Sequence, residues 1–100
     1  MPSIEQYKML AAVAEKRSIR AAAEALHKTQ PTVTNALKKL ESELGVVLLD
    51  RSEYRVQLTS EGKRINELAN QLITKHQEIN NLADSLHACL LYTSPSPRDS

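Results

Sequence analysis

One cysteine, Cys89, stands in a chain of 100 residues. It cannot form an internal disulfide, and by itself it cannot hold a structural zinc, whose sites take about four nitrogen or sulfur ligands. Trp and Phe are absent and Tyr occurs three times, so Leu, Ile, Val and Ala must fill any core. With only two Gly there is no Gly-rich phosphate loop, and the high Ala, Leu, Lys, Glu and Gln content favours helix over sheet. No run approaches the roughly 20 apolar residues of a membrane span. The start MPSIEQYK has neither the charged front nor the apolar stretch of a signal peptide. A cytoplasmic protein with no membrane partner is therefore expected. Formal net charge is only +1, so any argument for a polyanionic partner must rest on where the charges sit.

What is present is helical periodicity. Ser3 followed by Gln6 reads as a capping box, and Ile4, Tyr7, Leu10, Ala11 and Ala14 recur at helical spacing, which predicts a helix over residues 4–16. Ser18 is a second N-cap candidate, opening the run from Ile19 to Leu26, whose alanines permit close helix packing. After the polar link His27-Lys28-Thr29, the sequence Thr29-Gln30-Pro31 signals a third helix, because Pro fits a first turn. That helix runs to Leu44, buries Val33, Leu37, Leu40 and Leu44, and stops at Gly45.

Two short strands are predicted at Val46–Leu49 and Arg55–Leu58, flanking a loop at residues 50–54. Tyr54 in that loop could touch a ligand or cover the core. Thr59 or Ser60 caps a long final helix to about residue 88, in which Ile65, Leu68, Leu72, Ile79, Leu82 and Leu86 fall on heptad a and d positions and Lys75 interrupts one d. A folded unit of some 60 residues cannot cover so long a stripe, which points to a homodimer. Gly62 lies in this helix's first turn, where close approach of another backbone accounts for it. Residues 89–100, with two Pro and no periodicity, are expected to be a disordered tail. They resemble a translated sequencing adaptor, foreign to the natural protein, and are assigned no function.

The third helix carries the chemistry. Thr29, Gln30, Thr32, Thr34 and Asn35 place hydroxyl and amide groups near its N-terminus, where unpaired N–H groups and the helix dipole favour a phosphate. A carboxamide pairs with adenine through two hydrogen bonds, which makes Gln30 and Asn35 the sharpest candidates for reading a base. Arg20, Lys28, Lys38, Arg51 and Arg55 surround this helix, and residues 16–55 hold eight basic against five acidic side chains. Pro31 is read chiefly as a helix start and is included with the DNA-facing residues.

The order and spacing of Ser18, Ala23, Leu26, Gln30-Pro31-Thr32-Val33-Thr34, Leu40-Glu41, Leu44-Gly45, Leu48-Leu49-Asp50-Arg51 and Leu58-Thr59-Ser60-Glu61-Gly62 resemble the N-terminal signature of LysR-type bacterial transcriptional regulators. The resemblance covers residues 1–88. It implies a mostly α winged helix-turn-helix, three helices plus a two-stranded wing over residues 1–58, followed by a dimerising linker helix over 59–88. It implies double-stranded DNA as partner, the third helix in the major groove, antiparallel pairing of linker helices, and a small-molecule effector bound only by a further C-terminal domain. Arg17 departs from the pattern, standing where the family usually has Gly, and Leu10, Ile19 and Leu49 stand where Phe is common.

Other classes find little support. His27, His76 and His87 are dispersed with no carboxylate or Cys at a metal spacing, and Cys89 has no paired His, so neither a metal, a cofactor nor an enzyme activity is expected. A winged helix serving only as a protein-interaction module is the alternative reading.

Overall fold

The computed structural model describes residues 2–51 and 55–93. Their order is α1 (Ile4–Lys16), α2 (Ile19–Ala25), α3 (Gln30–Leu44), β1 (Leu49–Asp50), β2 (Gln57–Leu58) and α4 (Ser60–Thr93). The expected contact of Tyr54 and the tail from residue 94 lie outside the described residues.

α1 starts on the expected capping box: Ser3 Oγ accepts the Gln6 N–H at 3.4 Å and Gln6 Oε1 accepts the Ser3 N–H at 2.7 Å. Gln6 is itself buried, and its Nε2 donates to the Ala36 carbonyl and to a Glu43 carboxylate oxygen, each at 3.3 Å. The cap thereby ties α1 to α3. Ser18 Oγ caps α2 by accepting the Ala21 N–H at 3.1 Å. α2 ends at Ala25, one residue earlier than expected, because Leu26 leaves helical geometry and His27 turns left-handed at φ 58°.

Arg17 ends α1 in the same left-handed region, at φ 56° and ψ 30°, with its N–H bonded to the Val13 carbonyl at 2.7 Å. A side chain there crowds the following carbonyl at a cost of about 1–2 kcal/mol, which glycine avoids. Arg17→Gly is therefore expected to stabilise the fold by about 1 kcal/mol, after allowance for the greater freedom of an unfolded glycine. A urea midpoint that is unchanged or lowered contradicts this account of the turn.

α1 packs against α2, α3 and α4. Leu10, Val13, Val33, Leu37, Leu40 and Leu48 are almost wholly buried and form the aliphatic core required in the absence of Phe and Trp. Ala22 and Ala23 are buried beside them, and their short side chains let α2 approach closely.

The wing strands are shorter than the sequence suggests. Leu49 pairs with Leu58 and Asp50 with Gln57, antiparallel, and each strand has two residues among the described residues. Side chains have taken the backbone groups upstream. Glu41 Oε2 accepts the N–H groups of Leu48 and Leu49 at 2.8 and 3.1 Å, and the Thr59 hydroxyl donates to the Val47 carbonyl at 2.6 Å.

Thr59, rather than Ser60, caps α4: its Oγ1 accepts the Gly62 N–H at 2.9 Å. Gly62 is buried against β1's entry, and an added Cβ would collide with the Leu48 carbonyl oxygen and lie 3.0 Å from its carbon. The expected close backbone approach is thus that of Leu48. α4 continues to Thr93, past the expected end near residue 88, so residues 89–93 are helical and not part of an unstructured tail. At 1.5 Å per residue its length is about 50 Å, which accounts for the elongated 63 × 25 × 19 Å molecule.

Candidate nucleic-acid interface

The first turn of α3 is fixed by Thr29. Its Oγ1 accepts the Thr32 N–H at 3.3 Å and lies 2.7 Å from Thr32 Oγ1, while its carbonyl accepts the Val33 N–H at 3.2 Å. Pro31 has no N–H to offer. The expected set of unpaired amides at this helix start is therefore reduced to those of Thr29 and Gln30, and the site depends more on side chains than on backbone donors.

Those side chains stand on one surface. Thr29, Gln30, Pro31, Thr32, Asn35 and Lys38 are exposed, whereas Thr34 is half-buried at the edge of the core-facing side. Val33, Leu37 and Leu40 anchor the opposite face in the core, so the helix cannot roll without exposing them. The result is a rigid rod with a carboxamide on its first turn, a second one further along, and a lysine beyond it. Each carboxamide can both donate and accept, which is the requirement for reading a base edge.

The basic residues divide into two groups. Lys28, Lys38 and Arg55 are exposed and make no ion pair among the described residues. Arg20 and Arg51 are paired. Arg20 Nε lies 3.5 Å from Glu24 Oε2 across one turn of α2, and both side chains are largely solvated, a contact of small energetic weight. Arg51 Nη1 lies 3.7 Å from Glu41 Oε1, and Glu41 is the less exposed member, half-buried at 15%. Arg51 is thus part of the bracket that holds β1 to α3, and its charge is partly neutralised by the same carboxylate.

Glu41 is the residue that the sequence reading left without a role. Seven positions separate it from Leu48 and ten from Arg51, and no local pattern links them. Gln6 is similar: its cap was legible, but not its reach to α3. Glu43, which receives Gln6, is held below the ordinary carboxylate value. Desolvation opposes this shift, while hydrogen bonds, among them that from Gln6, and the charge of Lys39 outweigh it.

On α4 the predicted stripe splits. Ile65 is half-buried and packs against the domain's own core, and Ala69, not singled out in the sequence, is the buried anchor at 2% exposure. Leu68, Leu72, Ile79, Leu82 and Leu86 stand between 46% and 66% exposed. Among the described residues no cluster of His, Cys, Asp and Glu could hold a metal, and no helix is long and apolar enough to cross a membrane.

A three-helix unit closed by a short antiparallel wing, with a polar face on its third helix, defines the winged helix-turn-helix class. Residues 4–63 match the bacterial regulatory helix-turn-helix proteins of the lysR family, and the chain belongs to that family. It is 36% identical over 81 residues to the hydrogen peroxide-inducible genes activator of Pectobacterium carotovorum subsp. carotovorum, covering 81% of this chain and 27% of the relative. It is 43% identical over 68 residues to the HTH-type transcriptional regulator TcbR of Pseudomonas sp. (strain P51), covering 68% and 23%. The chain thus spans about a quarter of the length of these curated relatives. Among solved structures, the DNA complex of the CbnR DNA-binding domain superposes with a TM-score of 0.78 at 34% identity, covering 85% of this chain and 98% of that one. A BenM DNA-binding domain bound to catB site 1 DNA gives 0.82 at 27% identity, covering 85% and 96%.

Proposed function

We propose that this chain is the DNA-reading region of a sequence-specific transcriptional regulator, which binds dyad-symmetric duplex as a homodimer with α3 in the major groove. The observation that carries this reading is the exposed surface of Thr29, Gln30, Thr32, Asn35 and Lys38 on a helix immobilised by its buried side. That the two structural relatives are DNA-binding domains in complex with DNA supports a DNA partner. Residues 1–58 act as the reading head and α4 as the dimerising element, its exposed leucines and isoleucine forming the seam. Two reading heads related by a dyad address half-sites about 34 Å apart, or a multiple of it.

In this reading Lys28, Lys38 and Arg55 meet phosphates, and Arg51 does so by sharing or leaving Glu41. Each neutralised phosphate contributes about −0.9 to the slope of log affinity against log salt. Arg55→Ala is expected to weaken binding to all duplexes alike and to lessen that slope by about one contact's worth. The measurement is a salt titration of gel-shift affinity on random duplex, with sedimentation of the unbound chain alongside. Absence of any salt-dependent affinity would instead mark the domain as a protein-interaction module.

A further inference from the structure

Arg17 occupies the left-handed turn between α1 and α2, at φ 56°, a conformation that glycine alone adopts without strain. Its side chain is exposed, and among the described residues it has no hydrogen-bond or ion-pair partner. No contact within those residues offsets the strain of placing an arginine there. Lys63, near the start of α4, is exposed and equally without a partner among them.

The two cations meet at one cavity. Between the end of α1, strand β2 and the start of α4 lies a cleft of about 190 Å³, with Arg17, Gln57 and Lys63 at its rim and Val13, Leu49 and Leu58 in its wall. No carboxylate is among its lining residues. Glu61, two positions before Lys63, has its carboxylate engaged by the Ser60 hydroxyl at 3.1 Å. A cleft that carries charge of one sign above apolar walls focuses the field and draws in an ion of the opposite sign. The Gln57 amide adds a neutral donor beside the cations.

We propose that this cleft holds a backbone phosphate of the bound duplex between Arg17 and Lys63, so that the DNA contact runs past the wing onto the turn after α1. This rests on the DNA-reading function above. Continuity identifies the occupant. Gln57 is two residues from Arg55, which meets a phosphate in that reading, and Arg17 directly precedes α2, the helix that packs beside α3. The strain in folding and the gain in binding then fall on the same residue, which gives Arg17 a signature that a purely structural arginine lacks.

The test is phosphate-ethylation interference and a salt titration of duplex affinity, with Arg17→Gly, Arg17→Ala, Arg17→Lys and Lys63→Gln chains beside the unaltered one. One phosphate in each half-site is expected to lose its interference in the Arg17→Gly and Arg17→Ala chains, and Lys63→Gln is expected to act at the same phosphate. Affinity should fall about three- to tenfold on all duplexes alike, and the salt slope should lessen by about 0.9. Arg17→Lys, which keeps the charge, should retain both. Arg17→Gly should weaken binding while raising the urea midpoint, and Arg17→Ala should weaken it equally without that rise, so the loss cannot be attributed to damage to the fold. An unchanged interference pattern or salt slope in the Arg17→Gly chain overturns the proposal, as does an effect of Lys63→Gln at a different phosphate. If the unaltered chain shows no salt-dependent affinity for duplex, the DNA-reading function itself is rejected and the proposal with it.

Discussion

Replacing Gly62 by alanine is expected to destabilise the fold by about 2–4 kcal/mol. The added Cβ has no flexible side chain to push aside. It meets the backbone carbonyl of Leu48, and that segment is immobilised on every side. Leu48 N–H is bonded to Glu41, its carbonyl accepts the Thr59 N–H at 3.0 Å, and its side chain is buried. Relief therefore requires α4 to lift from the wing, breaking the Thr59 bonds to Val47 and Leu48. For a domain of this size such a loss lowers Tm by more than about 10 °C, compared at equal chain concentration so that dimerisation does not shift the comparison. A change under about 3 °C would show that the helix and wing are not in rigid contact. Alanine's better helix propensity, worth up to about 1 kcal/mol, works against the loss and is outweighed.

Glu41→Ala is expected to cost nearly as much, about 2–4 kcal/mol, because it leaves two buried amides, those of Leu48 and Leu49, without an acceptor. The ion pair with Arg51 contributes little of this, since the arginine is 37% exposed and screened by water. The two parts can be separated. Arg51→Ala is expected to shift stability by less than about 1 kcal/mol, whereas Glu41→Gln, which keeps one carbonyl oxygen, falls between the two. Equal losses for Glu41→Ala and Arg51→Ala in denaturant melts would place the energy in the ion pair and refute this division. Glu41 also links the wing to α3, so the basic residues of the wing are positioned relative to the exposed polar face of α3 by one carboxylate.

The parts of this fold that were legible in the sequence are those fixed by neighbours along the chain. α1 runs from residue 4 to 16 as expected, because Ser3 and Gln6 complete their cap within one turn. α3 begins on Thr29-Gln30-Pro31 and ends on Gly45 for equally local reasons. The exposed polar face of α3 followed directly from the helical period of Val33, Leu37 and Leu40. What the sequence concealed depends on contacts between distant positions. β1 is shorter than its β-branched run because Glu41 and Thr59 capture that backbone first. Ile65 looks like any other a position, yet the domain's own core takes it, and Ala69 is too small to stand out in a hydrophobic pattern. The Arg51 and Glu41 pair spans a turn and a strand entry, which periodicity does not register. Arg20 and Glu24, four apart on one helix, are the exception: that pair was readable and bears directly on how much charge Arg20 can offer.

The candidate surface follows the same division. That its amide and hydroxyl groups are exposed followed from the helical period, but the number of backbone donors left at the helix start depended on how Thr29 uses its own oxygen atoms. In the function proposed above, discrimination between bases is assigned to Gln30 and Asn35, and general affinity to the lysines and arginines around them.

Selection of bound sites from a random duplex pool, by the unaltered chain and by its Gln30→Ala and Asn35→Ala variants, tests that assignment most directly. The unaltered chain should enrich a motif with twofold symmetry, and each variant should lose preference at one position per half-site, a penalty of about 1–3 kcal/mol. Recovery of the same motif with the same strength by all three proteins would show that another surface reads the DNA.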